Sequence, residues 1–130
     1  MESKPISVLL VDDESDFTQP MAFWLNSKGY SVNVAYDGES AVKQAKENPP
    51  DIIFLDLNMP VMDGLETIKE IRKFNKDLPV IIISAYVQDQ RIRQANDYGI
   101  SGVFYKGKNF TEGLLLLETA LKTHKQLKKE

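Results

Sequence analysis

The sequence contains no cysteine, which excludes disulfides and every metal site built on thiolates and suits a reducing compartment. Histidine occurs once, as His124, in a charged stretch where it reads as a solvated helix residue. No apolar run is long enough to span a bilayer. The first such run, residues 6–11, is short and ends at once in Asp12 and Asp13, so it does not have the form of a secretory signal. Positive charge is not in excess: the formal net charge is −3, which argues against direct contact with nucleic acid. There is no internal repeat, low-complexity tract or linker. These absences lead to the expectation of a cytoplasmic protein that touches neither membrane nor nucleic acid directly.

What remains is a globular composition, 42% hydrophobic and 27% charged over 130 residues, enough for one domain with its own core. A single domain over residues 1–130 is expected, with its core from about residue 6 to about residue 121 and a charged, helix-compatible tail over 122–130. Apolar segments at 6–11, 31–36, 51–55, 79–84 and 102–105 read as strands. The first, third and fourth are continuous aliphatic runs, the pattern of strands covered on both faces in a parallel sheet. Between and after them, 16–28, 39–48, 65–74, 88–98 and 111–127 read as helices. Gly29 is a stop signal for the first helix, and Pro20 inside it removes one backbone hydrogen bond. The fourth helix has the weakest apolar stripe, only Ile92 and Ala95. Leu114, Leu117 and Leu121 line the last helix, with Leu115 and Leu116 beside them. Regular alternation of strand and helix implies a doubly wound α/β fold with helices on both faces of a parallel sheet.

In such sheets, ligands gather at the carboxyl ends of the strands. The residues there are Asp12, Asp13 and Glu14 after the first strand, Asp56 after the third, Ser84 at the end of the fourth and Lys106 after the fifth. Taken singly, each has a modest explanation: Asp13 or Ser15 caps the first helix, and Lys106 is a surface lysine. Taken together, they put several carboxylates at one edge, where they repel one another unless protons or a cation intervene. With no histidine or cysteine nearby, ligation would be all oxygen, which favours a hard ion such as Mg²⁺ with several retained waters.

Val11-Asp12-Asp13-Glu14, the segment from Leu55-Asp56 through Asn58-Met59-Pro60 to Asp63-Gly64, Ser84-Ala85 and Lys106 together resemble the signature of response-regulator receiver domains of two-component signalling, of the chemotaxis-regulator type. The resemblance implies a flavodoxin-like five-stranded sheet in the order 2-1-3-4-5. It implies that Asp56 takes a phosphoryl group from a histidine kinase or histidine phosphotransfer protein. Asp13 and Asp56 would hold Mg²⁺ through their carboxylates, Asn58 through its backbone carbonyl and Asp12 through water. Ser84 would donate a hydrogen bond to the phosphoryl group and Lys106 would pair with it. Such a domain is a signalling switch rather than an enzyme, with at most slow self-dephosphorylation. Its output would run through the fourth helix, fifth strand and fifth helix, a face that can also support a homodimer.

The sequence departs from that family's pattern at Gly107, where proline is usual after the lysine, at Val103, where the switch aromatic usually sits, and at Pro20. A trans peptide bond at Gly107 is expected. Tyr86, two residues after Ser84, either shields the phosphoryl group or is a surface aromatic. A receiver cut from a hybrid kinase or multidomain regulator, and a degenerate receiver that serves only as an interaction module, are the alternatives. A flavodoxin-type flavin protein would want a hydroxyl- and glycine-rich first loop, and this one is acidic. A haloacid-dehalogenase-type phosphatase would want a second aspartate where Asn58 stands.

Overall fold

The computed structural model describes residues 4–129, and the side chains of residues 4–123. In chain order the elements are β1 (Ser7–Val11), α1 (Ser15–Ser27), β2 (Ser31–Ala35), α2 (Gly38–Glu47), β3 (Ile52–Asp56), α3 (Gly64–Arg72), β4 (Val80–Ser84), α4 (Gln90–Asn96), β5 (Gly102–Tyr105) and α5 (Phe110–Lys129). The strands form one sheet in the order β2-β1-β3-β4-β5, with every pairing parallel. The chain reverses its direction of travel across the sheet between β1 and β3, so the carboxyl ends of these two central strands border the crevice where doubly wound folds bind ligands.

Alternation along the strands divides the core into two layers. Leu9, Val11, Ile53, Leu55, Val80 and Ile82 face one side and pack with Ala41 and Ala45 of α2, Ile68 and Ile71 of α3 and Ala95 of α4. Val8, Leu10, Ile52, Phe54, Ile81 and Ile83 face the other and pack with Met21 and Leu25 of α1 and Leu117 and Ala120 of α5. All five residues of β3 and of β4 are buried, as their uninterrupted aliphatic runs imply. Each fully buried aliphatic side chain contributes about 1.5–3 kcal/mol by leaving water.

The element ends show where local chemistry overrides periodicity. β3 runs one residue past the expected end and carries Asp56 within the ladder, opposite Ile83 of β4. α4 is shorter than the expected 88–98: Asp89 caps it by accepting the Arg91 N–H, and the chain turns away through Gly99 at φ 79°. The expected caps of α1 are corrected. Glu14 occupies the cap position with no side-chain hydrogen bond to the helix: its carboxylate pairs with Lys106, while its own N–H donates to the Asp12 carboxylate at 2.9 Å. α1 runs unbroken through Pro20. Its ring lies on the exposed face, where water can serve the carbonyl it leaves unpaired. Gly29, at φ 100°, ends this helix as expected. α5 continues to Lys129, but the side chain of His124 lies outside the described residues. Leu117 is the buried centre of its stripe, Leu114, Leu116 and Leu121 pack around it, and Leu115 is exposed.

Asp63 caps α3 by accepting the Glu66 N–H at 2.9 Å, and Gly64 N–H donates to the Leu57 carbonyl at 3.1 Å. This brings the first turn of α3 onto the end of β3 so closely that a Cβ at Gly64 would lie 2.2 Å from the Asp56 carbonyl oxygen. Backbone cannot yield as a side chain can. Gly64→Ala is therefore expected to lower stability by about 1–3 kcal/mol or more, read as a reduced urea midpoint; an unchanged midpoint would contradict this close approach.

Candidate functional site

Asp12 follows β1 and is wholly buried, and Asp56 closes β3 and is almost as enclosed. Asp13 beside them is exposed. The three carboxylates each offer an oxygen, and these oxygens lie within 4.8 Å of one another. One Asp12 oxygen, Oδ1, accepts the Glu14 N–H. The other, Oδ2, is buried and faces the Lys106 ammonium. Asp56 Oδ1 accepts the Asn58 N–H at 3.2 Å.

Lys106 enters from the end of β5. Its Nζ lies 2.8 Å from Asp12 Oδ2 and 3.8 Å from Asp56 Oδ2 and also pairs with Glu14. The Phe17 ring of α1 lies 5.1 Å beneath it, an added attraction for a cation. Burial pulls the Lys106 ammonium down, but its bonds to Asp12 and Glu14 and the charge of Asp56 raise it on balance. For Asp56 the balance tips the other way. Desolvation first and the Asp12 charge second push its carboxyl up to about 7, against the opposing pull of Lys106 and of the Asn58 N–H.

Ser84 ends β4, one residue beyond the Ile83 that pairs with Asp56. It is buried, and its hydroxyl is engaged within its own loop: Oγ donates to the Tyr86 carbonyl at 2.7 Å and accepts the Tyr86 N–H at 3.1 Å. Tyr86 itself is 64% exposed. Asn58 stands at the rim, exposed. Thus the carboxylates of Asp12, Asp13 and Asp56 cluster, Lys106 pairs with Asp12 and Asp56, and Asn58 is attached through its amide. Ser84 lies at the same sheet edge with its hydroxyl turned to Tyr86.

The departures in sequence have visible consequences. No cis peptide bond occurs among the described residues, so the bond to Gly107 is trans, and Gly107 turns the chain at φ 91°. Val103 packs into the layer under α4, whereas Phe104 is buried in the layer under α5. Their opposite facing follows the strand's alternation.

Neither charge nor apolar periodicity singles out Arg91, which lies in the helix with the weakest apolar stripe. Its guanidinium forks onto Asp89 (Nε to Oδ1 at 3.1 Å, Nη2 to Oδ2 at 2.9 Å) and donates through Nη1 to the Leu57 carbonyl at 3.0 Å. Glu14 is the other residue whose part emerges only from geometry, as a competitor for Lys106. A short Asp-x-Arg spacing at a helix start is the one local sign of the Arg91 fork.

The donor set suits a hard divalent cation. It is all oxygen, and it sets three clustered carboxylates against a single ammonium that Glu14 also shares. Residues 8–118 match the family model described as the response regulator receiver domain. The transcriptional regulatory protein PrrA of Mycobacterium tuberculosis is 44% identical over 78 residues, which are 60% of this chain and 34% of that protein. The transcriptional regulatory protein ZraR of Klebsiella oxytoca is 32% identical over 121 residues, 93% of this chain and 27% of that protein. The chain thus spans about a third or less of the length of these curated relatives. Among solved structures, the chemotaxis protein CheY4 of Vibrio cholerae superposes with a TM-score of 0.81 at 30% identity, covering 89% of this chain and 98% of that one.

The raised Asp56 carboxyl links stability to pH. Below its ordinary value of 3.8 the group is protonated in both folded and unfolded chains. Between there and about 7 the folded chain retains a proton that the unfolded chain has lost. Metal-free stability should therefore fall as pH rises through this window and level off above it. Asp56→Asn removes the cost, so its melting temperature in chelator at pH 8 should exceed wild type by about 4 °C or more, with the gain vanishing near pH 4. A gain that does not vary with pH would show that burial of the charge is not its source.

Proposed function

The chain belongs to the response-regulator receiver family, and on that footing we propose that Asp56 accepts a phosphoryl group from a phosphohistidine on a histidine kinase or histidine phosphotransfer protein. The observation that carries this reading is the meeting of Asp12, Asp13, Asp56 and the Lys106 ammonium at one sheet edge. Asp13 and Asp56 would hold Mg²⁺ through carboxylates, Asn58 through its backbone carbonyl and Asp12 through water. When bound, Mg²⁺ supplies charge neutralisation for the carboxylates and for the transferring phosphoryl oxygens.

The chemistry asked of the protein is alignment. An ionised Asp56 oxygen attacks phosphorus, the O–P bond forms as the N–P bond to the donor imidazole breaks, and the imidazole leaves with the electron pair. A carboxylate needs no base for this. Its raised pKa in the metal-free chain makes it a poor anion at neutral pH. Any nearby cation favours the reactive form. Lys106 pairs with a phosphoryl oxygen by giving up Glu14, its exposed partner, more readily than buried Asp12. Ser84 reaches another oxygen by exchanging its bond to the Tyr86 carbonyl for one to the phosphoryl group.

Phosphorylation brings about two negative charges to this edge. The rearrangement of Ser84 moves the loop that leads into α4. Ala95 is the only buried residue of α4, so this helix is weakly held. The output face is α4, β5 and α5, available to an effector or to a second copy of the chain. Residues 1–130 act as one receiver unit and as a switch rather than an enzyme, in the cytoplasm. In a regulator of the length of PrrA or ZraR, DNA contact would belong to another domain.

Incubation with a small acyl phosphate and Mg²⁺ should add one phosphoryl group by intact mass, with no gain in Asp56→Asn or with chelator present. A persisting gain in Asp56→Asn would move the acceptor elsewhere, and turnover of a generic phosphate ester lost in that variant would revive a phosphatase reading. In the phosphorylated protein, amide exchange across 90–96 should change by more than across β1 and β3; equal protection in both states would remove α4 from the output.

A further inference from the structure

The Leu57 carbonyl sits between the phosphoacceptor and Asn58, and it accepts two hydrogen bonds. One comes from Gly64 N at 3.1 Å and the other from Arg91 Nη1 at 3.0 Å. A carbonyl shares its peptide plane with the next amide, and that amide is Asn58 N–H, which donates to Asp56 Oδ1. Holding the Leu57 oxygen on two sides therefore fixes the plane that aims the Asn58 N–H at Asp56 and sets the direction in which the chain enters Asn58.

The guanidinium that makes this contact is itself held. Asp89 takes two of its N–H groups in a fork and also accepts the Arg91 backbone N–H at 2.9 Å, so one carboxylate both caps α4 and orients the arginine. The Asp89 bonds are the first cause that raises the Arg91 pKa, and the charges of Asp63 and Asp56 add to it, which places the cation within electrostatic reach of the acidic edge.

We infer that Arg91 is a positioning residue for the cation site: through the Leu57 carbonyl it pre-orients the backbone at Asn58 and the Asp56 carboxylate for metal binding. The inference rests on the reading of that edge as a Mg²⁺ site. Supporting groups one bond removed from metal ligands commonly change metal affinity by about 10–100-fold. At Arg91 the geometric effect opposes the simple electrostatic one. An arginine beside a cation site repels the cation, so removing its charge alone would tighten binding. Removing a positioning contact weakens it.

The test is Mg²⁺ binding by calorimetry on the unphosphorylated chain, with melting of the metal-free protein as a check on folding. Arg91→Met keeps the aliphatic stem and removes the donors and the charge. It is expected to weaken Mg²⁺ binding about tenfold. Arg91→Lys, which gives up the planar fork but retains a donor and a charge, is expected to fall between the two. Equal or tighter binding in Arg91→Met overturns the inference, as does wild-type affinity in Arg91→Lys should the methionine variant not fold. A lower melting temperature with unchanged affinity overturns it too, since that is what a merely structural arginine gives. If the wild-type chain binds no Mg²⁺, the site reading itself fails. If it binds and the variants bind equally, only the role of Arg91 does.

Discussion

A concentration of negative charge at the carboxyl edge of the sheet, compensated by one ammonium group, is the condition around which the rest of this molecule is arranged. Asp12 and Asp56 are buried in close company, and burial of like charges side by side is costly unless something neutralises them. Lys106 does so only in part: it sits closer to Asp12 than to Asp56 and shares itself with Glu14. Asp56 therefore keeps an elevated pKa, and the edge has an unmet demand for positive charge. Under the proposed reading that demand is what a divalent cation meets, and what makes a phosphoryl group, otherwise repelled here, acceptable once the cation is in place.

Such a cluster needs a rigid frame, because carboxylates free to move apart would do so. The frame is the pair of central strands. β1 and β3 lie side by side in register, Val11 opposite Leu55, so Asp12 and Asp56 each stand one residue beyond the last pair that these two strands make with each other. Both strands are packed on both faces, and neither can relax without exposing core. The tight seating of Gly64 against the Asp56 carbonyl closes the frame from the α3 side. The tolerance for strain at the edge thus comes from burial well away from it.

How much of this could be read from residue order depends on the range of the interaction concerned. The sheet was legible because alternation and uninterrupted aliphatic runs, such as Ile52 to Leu55 and Val80 to Ile83, are properties of single strands. The acidic edge was legible because each of its residues directly follows such a run. The caps of α1 and the length of α4 were not, since they turn on which acceptor a given N–H finds: Asp12 satisfies Glu14, and Asp89 starts α4 late. Arg91 was illegible for a stronger reason. Its partner, the Leu57 carbonyl, is a backbone atom 34 positions away, and a backbone acceptor leaves no trace in residue identity. The same holds for Ser84, which ends β4 while its hydroxyl's bonds to Tyr86 are invisible in the sequence.

The contrast between α3 and α4 shows why movement would concentrate on one side of the acidic edge. α3 buries Ile68 and Ile71 and is seated by Gly64, whereas α4 buries only Ala95. What holds the start of α4 is largely polar: the Asp89 cap, the Arg91 contact with Leu57 and, upstream in the same loop, the Ser84–Tyr86 pair. Polar contacts of this kind contribute about 0.5–1.5 kcal/mol each, or about twice that where a charged group is involved, and they can be exchanged one for another at little net cost. Buried aliphatic contacts cannot. A new anion at Asp56 would compete for Ser84 directly and disturb the peptide that Arg91 grips, acting on two of these three polar ties of one helix while leaving the hydrophobic ties of the others intact. Under the proposed reading the direction of the response would follow from which helix is fastened by exchangeable bonds, and it would require no aromatic at position 103.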